Sequence, residues 1–593
     1  MDFKRLFDIL PYQQARYPQE VALAHQEATH WKSYSTEECI DMVNRVSAGL
    51  LEQGLVRKDK VLLLVHCGSP FWNFLDLGMQ QIGVIVIPIH ATVPTKELSY
   101  IINDAQATLA IVSNQAMYDK IAVAKEEGHS LKKIYSIESL ANVRPLEELL
   151  IKPSAKHLAQ ITALKTAIQE EDLATILYTS GTTGTPKGVR LSHKNIVSNI
   201  KATISLVPIN CEKRVVSFLP LSHILERMVV YTYLAVGASI YYVDRPEVLM
   251  DRLQEIQPQY FTCVPRVLEK MYDGILTLAA TKGKLGRRII HWSLSLAERY
   301  PGRRKMGMRY RMLLFLADVL VYRHWRKAMG GKIEGIMVGA AALQEKLCRI
   351  FAAAGIEVRE GYGLTETAPV IAFNRFEPGG VRYGTVGIPI PGIELKIVEA
   401  NEKGEGEIVV KGPNVMMGYY QKEALTQEVL DKDGWFSTGD IGQIVHKRFL
   451  KITDRKKDIF KTTSGKYVAP QVVENVLLSS RYISQCMVVG FNRPYVIALI
   501  VPAFTQLKLW CEENKVHWTS PQFMVLNPKI KGLMEKEIAT LNEGLRNVEK
   551  VRRIKLLYED WTVERGELTT TMKLRRAHIV DKYQQKIAEA FRN

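Results

Sequence analysis

The residues best suited to chemistry lie in one loop, residues 178–189, which reads YTSGTTGTPKGV. The loop contains three glycines and five Ser or Thr residues, so backbone N–H groups and hydroxyls can surround phosphate oxygens. Lys187 near its end adds a mobile positive charge. The GxxxxGK[ST] spacing of a Walker A loop is missing. The loop therefore indicates a phosphate-binding site of another kind, rather than a polar turn between a strand and a helix.

Six further segments with polar and small residues follow in the chain. They are LPLSHILER (219–227), VGAAAL (338–343), EGYGLTET (360–367), WFSTGDIG (435–442), DRKKDIFKTTSGKYVAP (454–470) and LTTTMKLRR (568–576). Together with the loop they resemble the adenylate-forming (AMP-binding) superfamily, which includes acyl-CoA synthetases, firefly-type luciferases and the adenylation domains of peptide synthetases. The resemblance spans roughly residues 20 to 580. LPLSHILER, CVPRVLEKMYDGI (263–275) and FKTTSGKYVAP are most similar to the long-chain fatty acyl-CoA synthetase branch.

The resemblance implies a nucleotide site built from several segments. Tyr362 is expected to stack on adenine, Thr365 to bond the α-phosphate, and Glu366 to hold Mg²⁺, since a hard cation that bridges phosphates suits a carboxylate ligand. Asp440 and Arg455 are expected to bind the ribose. The residues implied to bind the nucleotide are Thr179, Ser180, Gly181, Thr182, Thr183, Gly184, Lys187, Gly339, Ala340, Ala341, Gly361, Tyr362, Gly363, Thr365, Asp440, Arg455 and Lys573.

Lys573 is implied to catalyse the first half-reaction, together with Lys187, Thr365 and Glu366. When a carboxylate attacks the α-phosphorus of ATP, two anions meet. A lysine between them offsets the repulsion and stabilises the transition state. The chain reads LTTTMK where many relatives have a proline after the first threonine, which leaves the rigidity of this loop open.

The resemblance also implies roles for Lys457 and His223. Lys457 lies where the family has its hinge, an Asp or Lys whose backbone torsions change as the small domain rotates. The neighbouring Lys456 is interpreted as a solvent-exposed lysine. His223 is implied to contact substrate in the channel between the acyl pocket and the approach of the thiol. A general-base role for it stays open, because the thiol of coenzyme A is itself a good nucleophile.

The hydrophobic pattern predicts the elements that position these residues. VLLLVH (61–66) and GVIVIPI (83–89) flank a segment with helical spacing, FWNFLDLGMQQI. Short buried strands that alternate with helices indicate βαβ units and a mainly parallel sheet. TLAIVS, KKIYSI and ATILYT, which ends at Thr179, continue the alternation. The Gly- and Pro-rich stretch around residues 375–420 predicts a small twisted β region.

The predicted fold class is α/β. We expect a large N-terminal domain, residues 1–453, with βαβ layers, the small β region and an acyl pocket. A smaller α+β C-terminal domain, residues 454–593, is expected to be mobile. The long charged helical pattern PKIKGLMEKEIATLNEGLRNVEKV supports this separate domain, and its rotation about Lys457 is implied by the resemblance.

Composition narrows the class of protein. With 593 residues, 47% of them hydrophobic and 24% charged, the chain is typical of a globular protein and not of a disordered, collagen-like or disulfide-scaffold one. Its seven scattered cysteines form no CxxC pair, which argues against a zinc site and for a reducing compartment. The N-terminus lacks a signal-peptide pattern, and no apolar run approaches the ~20 residues that span a bilayer. We therefore expect a cytoplasmic protein, with a peripheral position at the membrane left open. A monomer or a homodimer is expected.

The net charge of +17 favours an anionic partner. Much of this charge lies in residues 282–332, which hold 14 Lys or Arg against 2 Asp or Glu. The patterns WSLSLAERY and MLLFLADVLVYRHW predict helices with large apolar faces beside arginines. Such helices either contact an anionic membrane surface or pack on the main domain with their arginines in solvent, and both interpretations stay open. The local surplus and the lack of a DNA- or RNA-binding motif argue against nucleic acid.

The sequence thus predicts ATP-dependent activation of a long-chain fatty acid. The acid and MgATP would give acyl-adenylate and pyrophosphate, and coenzyme A would then displace AMP to give the acyl-CoA. One alternative is an acyl-AMP ligase that loads a carrier protein. The other is a non-catalytic lipid- or nucleotide-binding protein of the same fold, which the intact Lys187, Glu366, Asp440, Arg455 and Lys573 argue against.

Overall fold

A computed structural model describes residues 2–66, 68–127, 130–179, 185–302, 306–463, 465–563, 565–569 and 573–592. The strands are β1 (Leu23–Glu27), β2 (His30–Tyr34), β3 (Lys60–Leu64), β4 (Ile85–Pro88), β5 (Leu109–Val112), β6 (Lys133–Ser136), β7 (Arg144–Pro145), β8 (Leu173–Thr179), β9 (Lys187–Ser192), β10 (Arg214–Ser217), β11 (Ser239–Tyr242), β12 (Tyr260–Cys263), β13 (Gly335–Val338), β14 (Glu357–Gly363), β15 (Val370–Phe373), β16 (Ile388–Pro389), β17 (Glu394–Val398), β18 (Gly406–Lys411), β19 (Phe436–Val445), β20 (Phe449–Arg455), β21 (Phe460–Lys461), β22 (Tyr467–Val468), β23 (Ile483–Val489), β24 (Val496–Pro502) and β25 (Val551–Leu556).

The helices alternate with these strands. They are α1 (Ile9–Arg16), α2 (Thr36–Glu52), α3 (Phe71–Gln80), α4 (Thr95–Ala105), α5 (Gln115–Glu127), α6 (Ala155–Ala167), α7 (His193–Ile204), α8 (Ile224–Ala235), α9 (Leu249–Ile256), α10 (Pro265–Thr281), α11 (Lys284–Glu298), α12 (Met308–Ala317), α13 (Arg323–Ala328), α14 (Glu345–Ala353), α15 (Glu423–Val429), α16 (Pro470–Leu477), α17 (Phe504–Glu513), α18 (Pro521–Met524), α19 (Pro528–Asn542), α20 (Arg576–Lys582) and α21 (Gln584–Arg592). Within the ranges described above, none of them is both long and apolar enough to cross a membrane.

Two mainly parallel sheets form the large N-terminal part. One has the strand order β7-β6-β5-β3-β4-β8-β9, and the other has the order β16-β15-β14-β13-β12-β10-β11-β1-β2. In the first, β3 pairs in parallel with β4 and β5, and only the edge strand β9 is antiparallel. The predicted βαβ alternation is confirmed, because α3 connects β3 to β4 and buries nearly all of its side chains between neighbouring layers.

The predicted β region is confirmed and is larger than expected. Strands β17, β18, β19 and β20 form an antiparallel sheet that continues beyond residue 420 to Arg455. The smaller C-terminal part has a three-stranded sheet, β23-β24-β25, covered by helices. Its central strand β24 is buried along its whole length. The position of the domain boundary, between residues 453 and 454, stays a prediction.

A buried ion pair joins α3 to α8. Arg227 and Asp76 are both fully buried, and the guanidinium binds the carboxylate through Nε at 3.0 Å and Nη2 at 2.7 Å. The Tyr231 hydroxyl donates to the same carboxylate, and the guanidinium lies 5.4 Å from the Trp72 ring centre. A charge pair that is buried and hydrogen-bonded on both sides fixes one register between its elements. It therefore sets the position of α8, which begins directly after His223.

Candidate active site

A cavity of about 2020 Å³ brings the predicted residues together from both large sheets, the four-stranded sheet and the C-terminal part. Its wall includes Thr179, Lys187, His223, Gly339, Ala340, Gly361, Tyr362, Gly363, Thr365, Glu366, Asp440, Arg455, Lys457 and Lys573. Ala341 is exposed on the surface and is not part of this wall. Ser180, Gly181, Thr182, Thr183 and Gly184 lie outside the described residues.

The sheet topology explains this convergence. The phosphate loop leaves the carboxyl end of β8, and Gly339 and Ala340 follow the carboxyl end of β13. In open α/β sheets, ligands bind in the crevice outside the carboxyl ends of the strands. Ala340 has a φ of 71°, a left-handed backbone conformation that is uncommon for residues other than glycine.

Asp440 and Arg455 form one end of the site. They face each other in the register of β19 and β20, and Arg455 Nε lies 3.2 Å from Asp440 Oδ1. The second carboxylate oxygen accepts the Tyr362 hydroxyl at 2.7 Å. Asp440 is only 4% exposed, so its two partners hold it in one orientation. An oriented carboxylate of this kind can accept hydrogen bonds from two neighbouring hydroxyls.

Lys187, Glu366 and Tyr419 form another end. Lys187 Nζ lies 5.0 Å from the Tyr419 ring centre, and the Tyr419 hydroxyl donates to Glu366 Oε1 at 3.0 Å. The sequence analysis missed Tyr419; the preceding Gly418, whose φ is 114°, was the signal for a sharp turn. No cluster of three or more metal-ligating side chains occurs in the described ranges. A single carboxylate fits Mg²⁺ that arrives on nucleotide phosphates and keeps several waters.

Lys573 enters the cavity from the C-terminal part. Two hydrogen bonds link Lys573 to Thr569: Thr569 N–H donates to the Lys573 carbonyl at 2.8 Å, and Lys573 N–H donates to Thr569 Oγ1 at 3.0 Å. Residues 570–572 between them lie outside the described residues, so the rigidity of this segment stays an open expectation. Arg575 pairs with Glu97 of α4 at 3.1 Å and thereby fastens the C-terminal part to the first sheet.

Burial, with the nearby Arg455, lowers the pKa of Lys573 to about 8, although Asp440 and Glu366 act in the opposite direction. Lysine is charged below its pKa, so a cationic role for Lys573 needs a pH below about 8. We expect kcat/KM for adenylate formation to decline as the pH rises through this value. Pyrophosphate release measured from about pH 6 to 10 tests the expectation.

Lys573→Arg is the control for this profile, because a guanidinium stays protonated throughout the range. Its rate should be lower than that of the unaltered enzyme, yet without the alkaline decline. The same decline in Lys573→Arg would assign the titration to another group.

His223 lies at the N-cap position of α8, and its ring packs against the ring of His90 with centroids 5.0 Å apart. Burial, together with the nearby His90 and Lys573, lowers the pKa of His223 to about 3. The imidazole is therefore neutral at physiological pH and is a weak base. Sequence reasoning missed His90, since no pattern marks a histidine after a buried strand.

The two lysines near the predicted hinge differ in their surroundings. Lys456 is half-exposed, as expected, but its ammonium pairs with Glu407 at 2.6 Å. Lys457 follows the last residues of β20 and lines the cavity. Its role as a hinge stays a prediction.

Family models match nearly all of the chain. A model described as AMP-binding enzyme covers residues 10–420, and a model described as AMP-binding enzyme C-terminal domain covers residues 457–593. The chain is 31% identical over 562 residues to a long-chain-fatty-acid–CoA ligase of Mycobacterium bovis, covering 93% of this chain and 91% of the relative. It is also 31% identical over 595 residues to human long-chain-fatty-acid–CoA ligase 1, covering 95% and 82% of the two chains.

Solved structures show the same fold. The adenylation domain of a carboxylate reductase from Mycobacterium chelonae superposes with a TM-score of 0.75 at 20% identity, covering 99% of this chain and 91% of that one. The anthranilate CoA ligase AuaEII, solved with anthranoyl-AMP, superposes with a TM-score of 0.71 at 17% identity, covering 98% of both chains. These matches confirm the predicted architecture of a large N-terminal and a smaller C-terminal domain.

Proposed function

Because the chain belongs to the AMP-binding enzyme family, we propose that it is an ATP-dependent long-chain fatty acid–CoA ligase. Its cavity carries this proposal. The wall that holds the predicted nucleotide residues continues into apolar side chains of α8, α9, α10 and α13. These include Val229, Met250, Met271, Ile275 and Trp325, and Met329 directly after α13. A nucleotide and an aliphatic chain can therefore occupy one continuous space, with Lys573 and His223 between them.

In the first half-reaction the fatty acid carboxylate attacks the α-phosphorus of ATP and releases pyrophosphate. Asp440 and Arg455 would bind the ribose, Thr365 the α-phosphate and Lys187 the phosphate chain. Glu366 would hold the Mg²⁺ of MgATP, which screens the phosphate charge. Lys573 would lie between the two anions and stabilise the negative charge of the transition state.

In the second half-reaction the thiol of coenzyme A attacks the acyl carbon and AMP leaves. The C-terminal part would rotate about Lys457 and withdraw Lys573 from the cavity. The Arg575–Glu97 ion pair would then break. Because this pair is partly exposed, we expect its loss to cost less than about 1 kcal/mol, which a domain rotation during turnover can tolerate.

Pyrophosphate release with MgATP and fatty acids of increasing length, each with and without coenzyme A, tests the proposal. Sustained release only with a long-chain acid and coenzyme A is the expected result. Release of about one equivalent that then stops, whatever coenzyme A is added, would indicate a carrier protein as the acceptor. No release with any acid would contradict the proposed substrate class.

A membrane surface is the proposed partner of residues 282–332. Met308, Met312, Phe315, Leu316 and Leu320 are all exposed and follow one another at helical spacing along α12 and the turn after it. Exposed cations flank this apolar stripe, among them Arg288, Arg309, Arg311, Arg323 and Lys327. An apolar stripe between cations fits an anionic lipid surface. The proposed substrate also partitions into membranes.

Replacing Phe315 by glutamate should weaken binding to vesicles that contain an anionic phospholipid by about tenfold or more. Burial of the Phe315 ring in the lipid contributes about 2 kcal/mol to binding. Co-sedimentation at low salt measures this change. Phe523→Glu is the matched control, because Phe523 is 68% exposed and Phe315 67%, but Phe523 lies in the C-terminal part. Equal losses in both variants would contradict a specific role for α12.

A further inference from the structure

Two histidines from different sheets meet in the cavity wall. His90 follows β4 of the seven-stranded sheet, and His223 follows β10 of the nine-stranded sheet. Their ring centroids are 5.0 Å apart and their planes are inclined by 38°. Both residues line the cavity that also holds Lys573. The ring contact between the two sheets is therefore part of the cavity wall, with His223 close enough to Lys573 to interact with its charge.

Thr92 fixes the His90 ring. The Thr92 N–H lies 3.2 Å from His90 Nδ1 and the Thr92 hydroxyl lies 2.8 Å from the same nitrogen. A ring nitrogen that accepts a backbone N–H carries no proton of its own, so the neutral His90 ring is protonated at Nε2. Both the tautomer and the ring plane of His90 are therefore determined by its own loop.

The His223 ring lacks this kind of support at one nitrogen. Its Nε2 is buried and has no hydrogen-bond partner in the part of the chain that the structure describes. Its main chain is held, because His223 N–H donates to the Pro220 carbonyl at 3.0 Å and Arg227 N–H donates to the His223 carbonyl at 3.1 Å. The His90 ring packs against this imidazole and limits the rotation of the His223 side chain.

We propose that His90 is a positioning residue for His223, holding its imidazole in one orientation between the nucleotide residues and the acyl part of the cavity. Burial lowers the pKa of His90 to about 4, so both rings are neutral and the contact carries no charge repulsion. A neutral imidazole acts on substrate through a hydrogen bond of defined direction. The contribution of this hydrogen bond to catalysis therefore depends on the ring orientation that His90 provides.

Three substitutions separate the ring contact from other roles. His90→Ala removes the contact and should lower kcat for acyl-CoA formation by about tenfold, with little change in KM for ATP. His90→Phe keeps an aromatic ring against His223 and should retain most of the activity. In a His223→Ala background, His90→Ala should cause no further loss, since it acts through a ring that is already absent.

These kinetic tests rest on the proposed function, but a second measurement does not. Diethyl pyrocarbonate modifies accessible neutral imidazoles, and peptide mass spectrometry reports each histidine separately. His223 should be modified faster in His90→Ala than in the unaltered protein, and at an unchanged rate in His90→Phe. Equal behaviour of His90→Phe and His90→Ala, or an additional loss in the His223→Ala background, would overturn the inference. Labelling that follows the expectation in a protein without ligase activity would contradict the proposed function alone.

Discussion

Replacing Lys573 by alanine should slow acyl-adenylate formation by about 100- to 1000-fold, while transfer from preformed adenylate to coenzyme A stays nearly unchanged. The reason is that the two half-reactions differ in the charge that their transition states carry. Adenylate formation brings a carboxylate against a phosphate, and a buried ammonium between them stabilises the charge of the transition state. In the second step the attacking thiol and the acyl carbon make no such pair of anions.

The surroundings of Lys573 support a large effect. Its ammonium is close enough to Asp440, Arg455, Glu366 and His223 for each to share an electrostatic interaction with it. In a buried site, charges interact more strongly than in water because the local dielectric constant is lower. A preorganised cation here costs no reorganisation during the reaction. Alanine removes this positive charge from the site, and the Asp440 and Glu366 carboxylates lose its electrostatic interaction.

The two half-reactions can be measured separately. ATP–pyrophosphate exchange with a long-chain acid reports adenylate formation, and thioester release from synthetic acyl-adenylate and coenzyme A reports the second step. Lys508→Ala is the matched control, because Lys508 is an exposed lysine on α17 of the same C-terminal part. It should leave both steps unchanged. An equal loss of both steps in Lys573→Ala would contradict the assignment of Lys573 to the first step.

Local patterns were sufficient to predict most strands of the first sheet, and the roles given to the site residues stay predictions, although most of these residues line one cavity. Runs such as VLLLVH read as buried strands because every side chain in a parallel strand faces a covered layer. Lys187 comes after the loop that follows β8 of the first sheet, and Gly339 comes directly after β13 of the second; both line the cavity. Strand β19 was not predicted, because only Phe436, Asp440 and Gly442 of FSTGDIGQIV are buried, so the segment shows neither a continuous apolar run nor a regular alternation.

Contacts between distant segments could not be predicted from the sequence. Tyr419 reaches Glu366 across 53 residues, and Arg575 reaches Glu97 across 478. No sequence pattern around Tyr419 or Arg575 indicates which residue it contacts. Ala341 was expected at the nucleotide site but is exposed outside the cavity wall. A run of three alanines does not reveal which of them turns away from the cavity. Only the path of the backbone after Ala340 determines that Ala341 faces solvent.

Replacing Asp76 by asparagine should destabilise the protein by about 3–5 kcal/mol, because it leaves the Arg227 guanidinium buried without a counter-charge. Both side chains are fully buried, and the pair joins α3 to α8. Asparagine keeps the size of the side chain, so the change creates no cavity. A buried carboxylic acid can relieve such stress by taking up a proton, but a guanidinium stays charged at every accessible pH. Calorimetry should show a lower apparent Tm.

The double variant Asp76→Leu with Arg227→Met distinguishes the cost of an unpaired charge from the value of the pair. Apolar residues of similar volume often replace a buried ion pair at little cost, so this variant should recover most of the lost stability. Should it be less stable than Asp76→Asn, the pair itself would be the stabilising element. The enzymatic activity of the double variant tests whether the ion pair also positions His223. Since α8 begins directly after His223, the double variant should fold well yet lose activity if the ion pair is needed to hold His223 in place.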